Sequence, residues 1–245
     1  MAWLLVDNSN TRTKFALADH RELSASRAWL PTAEISAESL DHCLAEWNFE
    51  AALLCSVVPE KANLLLEYLC RRVPVHALTH RSDTGLTIDY PQPSQIGADR
   101  LANAIGVSAR HGAPAIVIDF GTAVTFDVVA AGPAYCGGVI APGLGAMQDY
   151  LGRRTALLPK IELKEPTSAI GKSTTEAMQA GAVFGYRGLV REIIQRLKGE
   201  MAGKPVVIAT GGDAALISKG LPEIDRVDPD LTLEGLRITA VRNLR

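Results

Sequence analysis

One short pattern, occurring twice, limits this chain to few folds. From Ala115 to Asp127 it reads AIVIDFGTAVTFD. Four apolar residues run into Asp119, and after Phe120, Gly121, Thr122, Ala123 and Val124 an extended pattern resumes at Thr125 and Phe126. This predicts strand, tight turn, strand. A glycine in such a turn can take positive φ and leave backbone N–H groups uncovered, while Thr122 adds a hydroxyl and Asp119 a carboxylate. A turn of this kind suits a phosphate and its cation. The device also occurs about half a chain earlier, where Trp3–Val6 lead into Asp7, Asn8, Ser9, Asn10 and Thr11, followed by Arg12, Thr13, Lys14 and the strand-like Phe15–Leu17. Two such turns, each opening a half-chain, imply a duplicated α/β fold with a nucleotide between the halves.

The chain has 245 residues, enough for two domains of ordinary size. We expect domains at 1–113 and 114–245. With 47% apolar and 21% charged residues and a formal net charge of −2, the composition is that of a globular protein. No uncharged apolar run is long enough for a membrane span. Basic residues are scattered, which argues against nucleic acid as a partner. Asp7 interrupts the first apolar run before a targeting signal could form, so a cytoplasmic location is expected. Cys43, Cys55, Cys70 and Cys136 show no paired spacing and read as reduced structural thiols.

Taken in order, the first half predicts strands at Trp3–Val6, Thr13–Leu17 and about Ser26–Leu30. A helix from about Ser36 follows, with Leu40, Cys43, Leu44 and Trp47 on one face. Next come a buried strand Ala51–Val58, a second helix carrying Ala62, Leu65, Leu66 and Leu69, and a strand Val75–Leu78. The stretch from Thr79 to Gln95 breaks up around Gly85, Pro91 and Pro93, leaving only Leu86–Tyr90 extended. A helix then opens at Gly97. The second half repeats the plan, with strands at Ala115–Asp119, Val124–Val129 and Ala134–Ile140 and helical segments after Gly143. A long helix runs over about Thr175–Leu197, bearing Gly181, Gly185 and Gly188 on one face. A strand at Val206–Ala209, a helix at Asp213–Lys219, a strand at Ile224–Val227 and a helix at Leu231–Arg242 complete it.

Several phosphate-binding motifs can be eliminated. Gly171–Thr174 look like the end of a P-loop, but Pro166 occupies the place of its first glycine. Asp119-Phe120-Gly121 lacks the companion motifs of a protein kinase, and no GxGxxG opens a helix. The paired aspartate turns remain. A carboxylate at the end of a buried strand is costly without a cation or donors. Either aspartate alone could be a turn cap; their recurrence at matched places favours function. Lys14 is an ordinary surface lysine or a point charge for a phosphate. Thr210, Gly211, Gly212 and Asp213 form an ordinary strand-to-helix turn or an adenosine contact. Asp99 is a helix-start residue or a general base for an attacking alcohol, with Arg100 beside it suited to a carboxylate. The histidines show no metal-ligand spacing.

Together, Asp7–Lys14, Gly97-Ala98-Asp99-Arg100, Asp119–Ala123, Gly137-Gly138 with Pro142-Gly143, Gly171–Thr174, Thr210–Asp213 and Ser56–Pro59 resemble the type III pantothenate kinases, over nearly the whole chain. The resemblance implies two tandem ribonuclease H-like domains of the acetate/sugar kinase, Hsp70 and actin superfamily. It implies phosphorylation of pantothenate with ATP, the first step of coenzyme A biosynthesis. Carried over, Asp7, Asn8, Ser9, Asn10, Thr11, Arg12, Thr13, Lys14 and Thr122 would bind ATP, with Gly211 and Gly212 as adenosine contacts. Asp119 would hold a monovalent cation, K+ or NH4+, and Asp7 would lie near Mg2+. Asp99 would take the proton from pantothenate, which Tyr90, Gly97, Ala98, Asp99, Arg100 and Thr174 would bind. The family is dimeric through helices of the second half. A non-catalytic transcriptional accessory protein of the same family is the alternative. One departure stands out: Ser9 replaces the family's usual glycine, and if that position needs positive φ, strain of roughly 1 kcal/mol or more is expected there, unless the turn shifts that burden to Asn8, which tolerates it better.

Overall fold

The computed structural model describes residues 2–244, which form two compact units. The first runs to His111 and takes in Pro133–Cys136 and the chain from Asp230 onward; the second comprises Gly112–Gly132 and Gly137–Pro229.

In the first unit, β1 (Trp3–Asn8), β2 (Arg12–Ala18) and β3 (Leu23–Pro31) form an antiparallel meander. A 3-10 turn at Thr32–Glu34 leads to α1 (Ala37–Cys43), β4 (Ala51–Ser56), α2 (Pro59–Cys70) and β5 (Val75–Ala77). β4 runs parallel to β1 and β5 parallel to β4, giving the sheet order β3-β2-β1-β4-β5. β1 is central and buried along its whole length, which is why its apolar run is continuous rather than alternating. Ser36 and Ser39 form a capping box that starts α1, and Pro59 occupies the first turn of α2, where its missing N–H costs nothing. α1 stops at Cys43, so the predicted helical stripe is cut short: Leu44 caps it, and the chain turns to bond Glu50 N–H to Ala2 C=O at 2.9 Å. The extended piece near Tyr90 is the two-residue β6 (Thr87–Ile88), and α3 covers Ala98–Arg110.

The second unit begins with β7 (Ala115–Phe120), β8 (Ala123–Ala130) and the greater part of β9 (Ala134–Pro142), whose first three residues belong to the first unit. Then come α4 (Leu144–Arg154), α5 (Thr174–Glu200), β10 (Val206–Gly211), α6 (Ala214–Ser218) and the two-residue β11 (Arg226–Val227). The second sheet has the order β6-β9-β8-β7-β10-β11, with the two-residue β6 at its edge. Apart from β6, that is the first sheet's order, and Asp119 is the fifth residue of β7 as Asp7 is of β1.

The last helix, α7 (Leu231–Asn243), lies in the second half of the sequence but packs in the first unit against α3. Two glycines allow this closeness: a Cβ on Gly235 would fall on the Ala102 backbone, and one on Gly106 would strike the Leu231 carbonyl. Thr232 Oγ1 donates to Asn103 Oδ1 across the same contact at 2.7 Å.

Strand parity sets where the aspartates face. Leu4, Val6, Ala52 and Leu54 pack into a core with Leu40, Leu65 and Leu69 of the α1–α2 layer. Alternation therefore puts Asp7 on the opposite face, the one carrying α3 and α7. In the second unit Ile116, Ile118, Phe120, Val207 and Ala209 pack with Val183, Tyr186 and Val190 of α5, so Asp119 lies on the face away from α5.

Candidate functional site

The first turn joins β1 to β2. Asp7 is 2% exposed and stands opposite Lys14 in the antiparallel register. Its Oδ2 is 3.3 Å from Lys14 Nζ, and its Oδ1 accepts from the Ser9 hydroxyl at 3.0 Å. The carboxylate thus carries a half-exposed cation and a hydroxyl at the end of a buried strand. Asn8 is also buried, donating to Thr13 Oγ1 at 2.7 Å and accepting from Ser56 at 2.6 Å. No described non-glycine residue has positive φ. The strain expected at Ser9 or Asn8 is absent, because the turn keeps ordinary backbone angles and Ser9 adds a hydrogen bond to Asp7. Arg12 projects outward and stacks over the exposed Trp29 ring at 4.8 Å.

Asp99 lies in the first turn of α3, where Gly97 is the N-cap. Its Oδ1 accepts the Arg100 backbone N–H at 2.8 Å, and a Cβ on Gly97 would sit 2.6 Å from that oxygen. Glycine there lets the carboxylate fold back over the helix start. The Arg100 guanidinium lies 5.8 Å from the Tyr135 ring centroid, and Tyr90 packs on that ring at 6.2 Å. Tyr135 is brought there by β6, which pairs in parallel with Ala134 and Tyr135, and by Asp89 N–H donating to the Tyr135 carbonyl at 2.9 Å. Tyr90 and the Gly97–Arg100 segment therefore meet on a buried aromatic that the sequence reading did not single out. Only the strand pairing could have revealed it.

The second turn joins β7 to β8. Gly121 does not have positive φ, contrary to expectation, and a Cβ there would meet nothing nearer than the Ala123 carbonyl at 3.4 Å. Neither conformation nor packing demands a glycine at this position. Gly211 is the glycine that the backbone requires: φ is +93°, and a Cβ would lie 2.6 Å from Asp119 Oδ1 and from the Phe120 backbone. β10 runs parallel to β7 with Thr210 opposite Asp119, so the Thr210–Asp213 turn abuts the aspartate turn. Gly143 donates to the Thr122 carbonyl at 3.1 Å, and a Cβ on it would strike the Gly121 carbonyl, which seats the Pro142-Gly143 corner on the same turn. Burial pushes the Asp213 carboxyl up, and burial with the Asp213 charge raises the Tyr186 hydroxyl.

Thr174 opens α5 and is exposed. Ser173 caps the helix, accepting from Glu176 N–H at 3.2 Å, and Glu176 accepts from Lys172 N–H at 2.6 Å. A Cβ on Gly171 would strike Ala177 N, so this segment is folded tightly over the helix start. Deeper in α5, Arg187 is buried and binds Glu165 through both guanidinium nitrogens, at 2.8 and 2.7 Å. It also donates to the Ile217 and Leu216 carbonyls at 3.0 and 2.7 Å, closing the end of α6. The Arg187 guanidinium holds the Glu165 carboxyl below the usual range.

The donors at both turns are carboxylates and hydroxyls, the oxygen chemistry that hard cations take. Among the described residues no three His, Cys, Asp or Glu side chains cluster as a metal cage, and no cysteine is joined in a disulfide. Single carboxylates of this kind fit a cation that draws its other ligands from phosphate and water. No described helix is long and apolar enough to cross a membrane.

Residues 3–196 match the family described as type III pantothenate kinase. A protein of that name from Akkermansia muciniphila is 57% identical over 244 residues, covering 100% of both chains. Among solved structures, a Campylobacter jejuni protein described as a Baf family transcriptional activator superposes with TM-score 0.63 at 18% identity, over 97% of this chain and 96% of that one. An inorganic polyphosphate/ATP-glucomannokinase from Arthrobacter does so with TM-score 0.53 at 16% identity, over 99% of each. At such identities these structures speak for the fold alone: two ribonuclease H-like domains of the sugar kinase, Hsp70 and actin type.

Proposed function

The chain belongs to the type III pantothenate kinase family, and from that premise we propose how its residues phosphorylate pantothenate with ATP to give 4′-phosphopantothenate, the first step of coenzyme A biosynthesis. The observation carrying the assignment is the matched placement of Asp7 and Asp119, each the fifth residue of the first strand in two sheets that share one order of five strands, β6 being added beside β9 in the second.

In the first unit, residues Asp7 to Lys14 bind ATP phosphates, with Lys14 as a point charge. In the second, Thr122 binds ATP, and Gly211 and Gly212 lie against adenosine, where the lack of side chains leaves room for a flat ligand. Asp119 holds a monovalent cation, K+ or NH4+, and Asp7 lies near Mg2+. Bound cations offset the charge on the phosphates. Asp99 accepts the proton of the pantothenate hydroxyl, its orientation set by the Arg100 backbone N–H. Arg100 binds the pantothenate carboxylate, flanked by Tyr90, with Gly97, Ala98 and Thr174 as further contacts. The work of the protein is positioning and electrostatics.

The protein acts as a homodimer in the cytoplasm, without nucleic acid or membrane partners. Support for the dimer comes from α5: Phe184 is exposed, and a Cβ on Gly181, Gly185 or Gly188 would meet nothing within 4 Å, leaving a face that a second copy could approach closely. A regulator without turnover is disfavoured, since the likeness to a transcriptional activator is one of fold, and fold does not assign function.

The test is ADP release from purified protein with ATP and Mg2+, with and without pantothenate, in K+ and in Na+. Release that depends on pantothenate and drops when Na+ replaces K+ is expected. Absence of pantothenate-dependent release from folded protein would refute the kinase assignment.

A further inference from the structure

The Asp7 turn is held by a line of hydrogen bonds whose direction can be deduced. Ser56 Oγ is 2.6 Å from Asn8 Oδ1, an atom that can only accept, so Ser56 donates. Asn8 Nδ2 can only donate, and it reaches Thr13 Oγ1 at 2.7 Å. Thr32 Oγ1 lies 2.6 Å from the Ser9 carbonyl, which can only accept, so the single Thr32 hydroxyl proton points there. The remaining contact, Thr13 Oγ1 to Thr32 Oγ1 at 3.0 Å, must then be donated by Thr13. All four protons run one way, from Ser56 through Asn8, Thr13 and Thr32 to the Ser9 carbonyl. Asn8, Thr13 and Thr32 are at most 3% exposed, so water does not compete for the two inner links, Asn8 to Thr13 and Thr13 to Thr32.

Thr32 grips the turn a second time, since its backbone N–H donates to the Thr11 carbonyl at 3.0 Å, while the Arg12 carbonyl accepts from Ser9 N–H at 3.2 Å. Three carbonyls of the turn are thereby engaged by protein donors, two of them by Thr32. This matters for an anion site, because an unengaged carbonyl turned toward a phosphate opposes binding through its negative end. We propose that Thr32 is a positioning residue for ATP, holding the Ser9 and Thr11 carbonyls so that the turn presents a surface compatible with phosphate, with Ser56 anchoring the far end of the same chain. The proposal rests on the reading of Asp7–Lys14 as a phosphate turn. Thr32 stands at the start of a 3-10 turn beyond β3 and reaches the site only because Arg12 pairs with Pro31.

The experiment compares T32V, which keeps the side chain's shape, with T32S, which restores the hydroxyl, and with S56A and K14A, in steady-state kinetics for both substrates. T32V is expected to raise KM for ATP roughly 3- to 10-fold, the worth of one such hydrogen bond, with KM for pantothenate within about twofold on the same scale. T32S should return toward the parent and S56A should shift in the sense of T32V. An unchanged ATP KM in folded T32V, with K14A clearly impaired for ATP, overturns the role of Thr32 while leaving the phosphate turn standing. Unchanged ATP KM in both T32V and K14A overturns the phosphate turn itself and the proposal with it. Equal rises for both substrates also overturn it, since general loosening would do that. If circular dichroism shows T32V unfolded, S56A decides by the same criterion.

Discussion

Asp99 bears the chemical burden in the proposed reaction, and its surroundings suit that role. Its Oδ1 accepts a backbone N–H from the helix it helps to start, so the carboxylate is held in one orientation before substrate arrives. Replacing it by asparagine keeps the shape and the hydrogen-bond acceptor but cannot take a proton. We expect D99N to lose roughly 10²- to 10⁴-fold in turnover, the usual worth of a general base, while calorimetry still detects pantothenate binding; an unchanged rate would remove Asp99 as the base. Glu165 illustrates the linkage of charge to stability. Its carboxyl is held low by Arg187 in the folded protein, so the pair contributes stability above the ordinary carboxylate range and loses it as pH falls through the lowered folded value. Melting curves of the parent and E165Q should differ at neutral pH and converge in acid. A gap that stays constant or widens in acid would contradict this.

Helices α3 and α7 show how an element distant in sequence supports the candidate site. α3 carries Asp99 and Arg100 at its start, and α7 lies against its middle with Gly235 on the Ala102 backbone. Adding a methyl group there forces the helices apart. G235A should lose about 1–3 kcal/mol, as overpacked cores do, read as a lower denaturant midpoint at unchanged slope. An unaltered midpoint would show that the contact yields without cost. Element boundaries near turns were the hardest to read from sequence. α1 ends where the chain must turn to lay β4 beside β1, and β6 spans only Thr87 and Ile88, paired with Ala134 and Tyr135. Neither event has a local signal.

At the level of the molecule, the duplicated plan is the main finding. Apart from the short β6 beside β9, the two sheets share one strand order, with an antiparallel pair (β1–β2, β7–β8) and a parallel neighbour (β4, β10), and each places an aspartate on the face away from one helical layer. Three of the four places where the chain passes between the two units lie at Gly112, Gly132 and Gly137, all with positive φ. The exposed face of α5 bears on assembly. F184D puts a charge where the proposed dimer would bury an aromatic ring, and sedimentation should show the parent as a dimer and the variant shifted to monomer. Parent protein that sediments as a monomer would remove the dimer.

Periodicity and turn chemistry are enough to single out Asp7, Asp99 and Asp119 as candidates and to show that the chain repeats itself. Alternation and helical spacing are local properties, and a buried strand ending in a carboxylate is visible in any linear reading. The contacts that complete the site were not. Tyr135 reaches Arg100 through a parallel pairing with β6, Gly211 lies on Asp119 through the β7–β10 register, and Thr32 meets the Ser9 carbonyl through the β2–β3 pairing. α7 crosses from one half of the sequence to the unit of the other. Such neighbours are set by which strands pair and which helices fit together, choices made by the burial of whole faces. No stretch of chain carries that information alone.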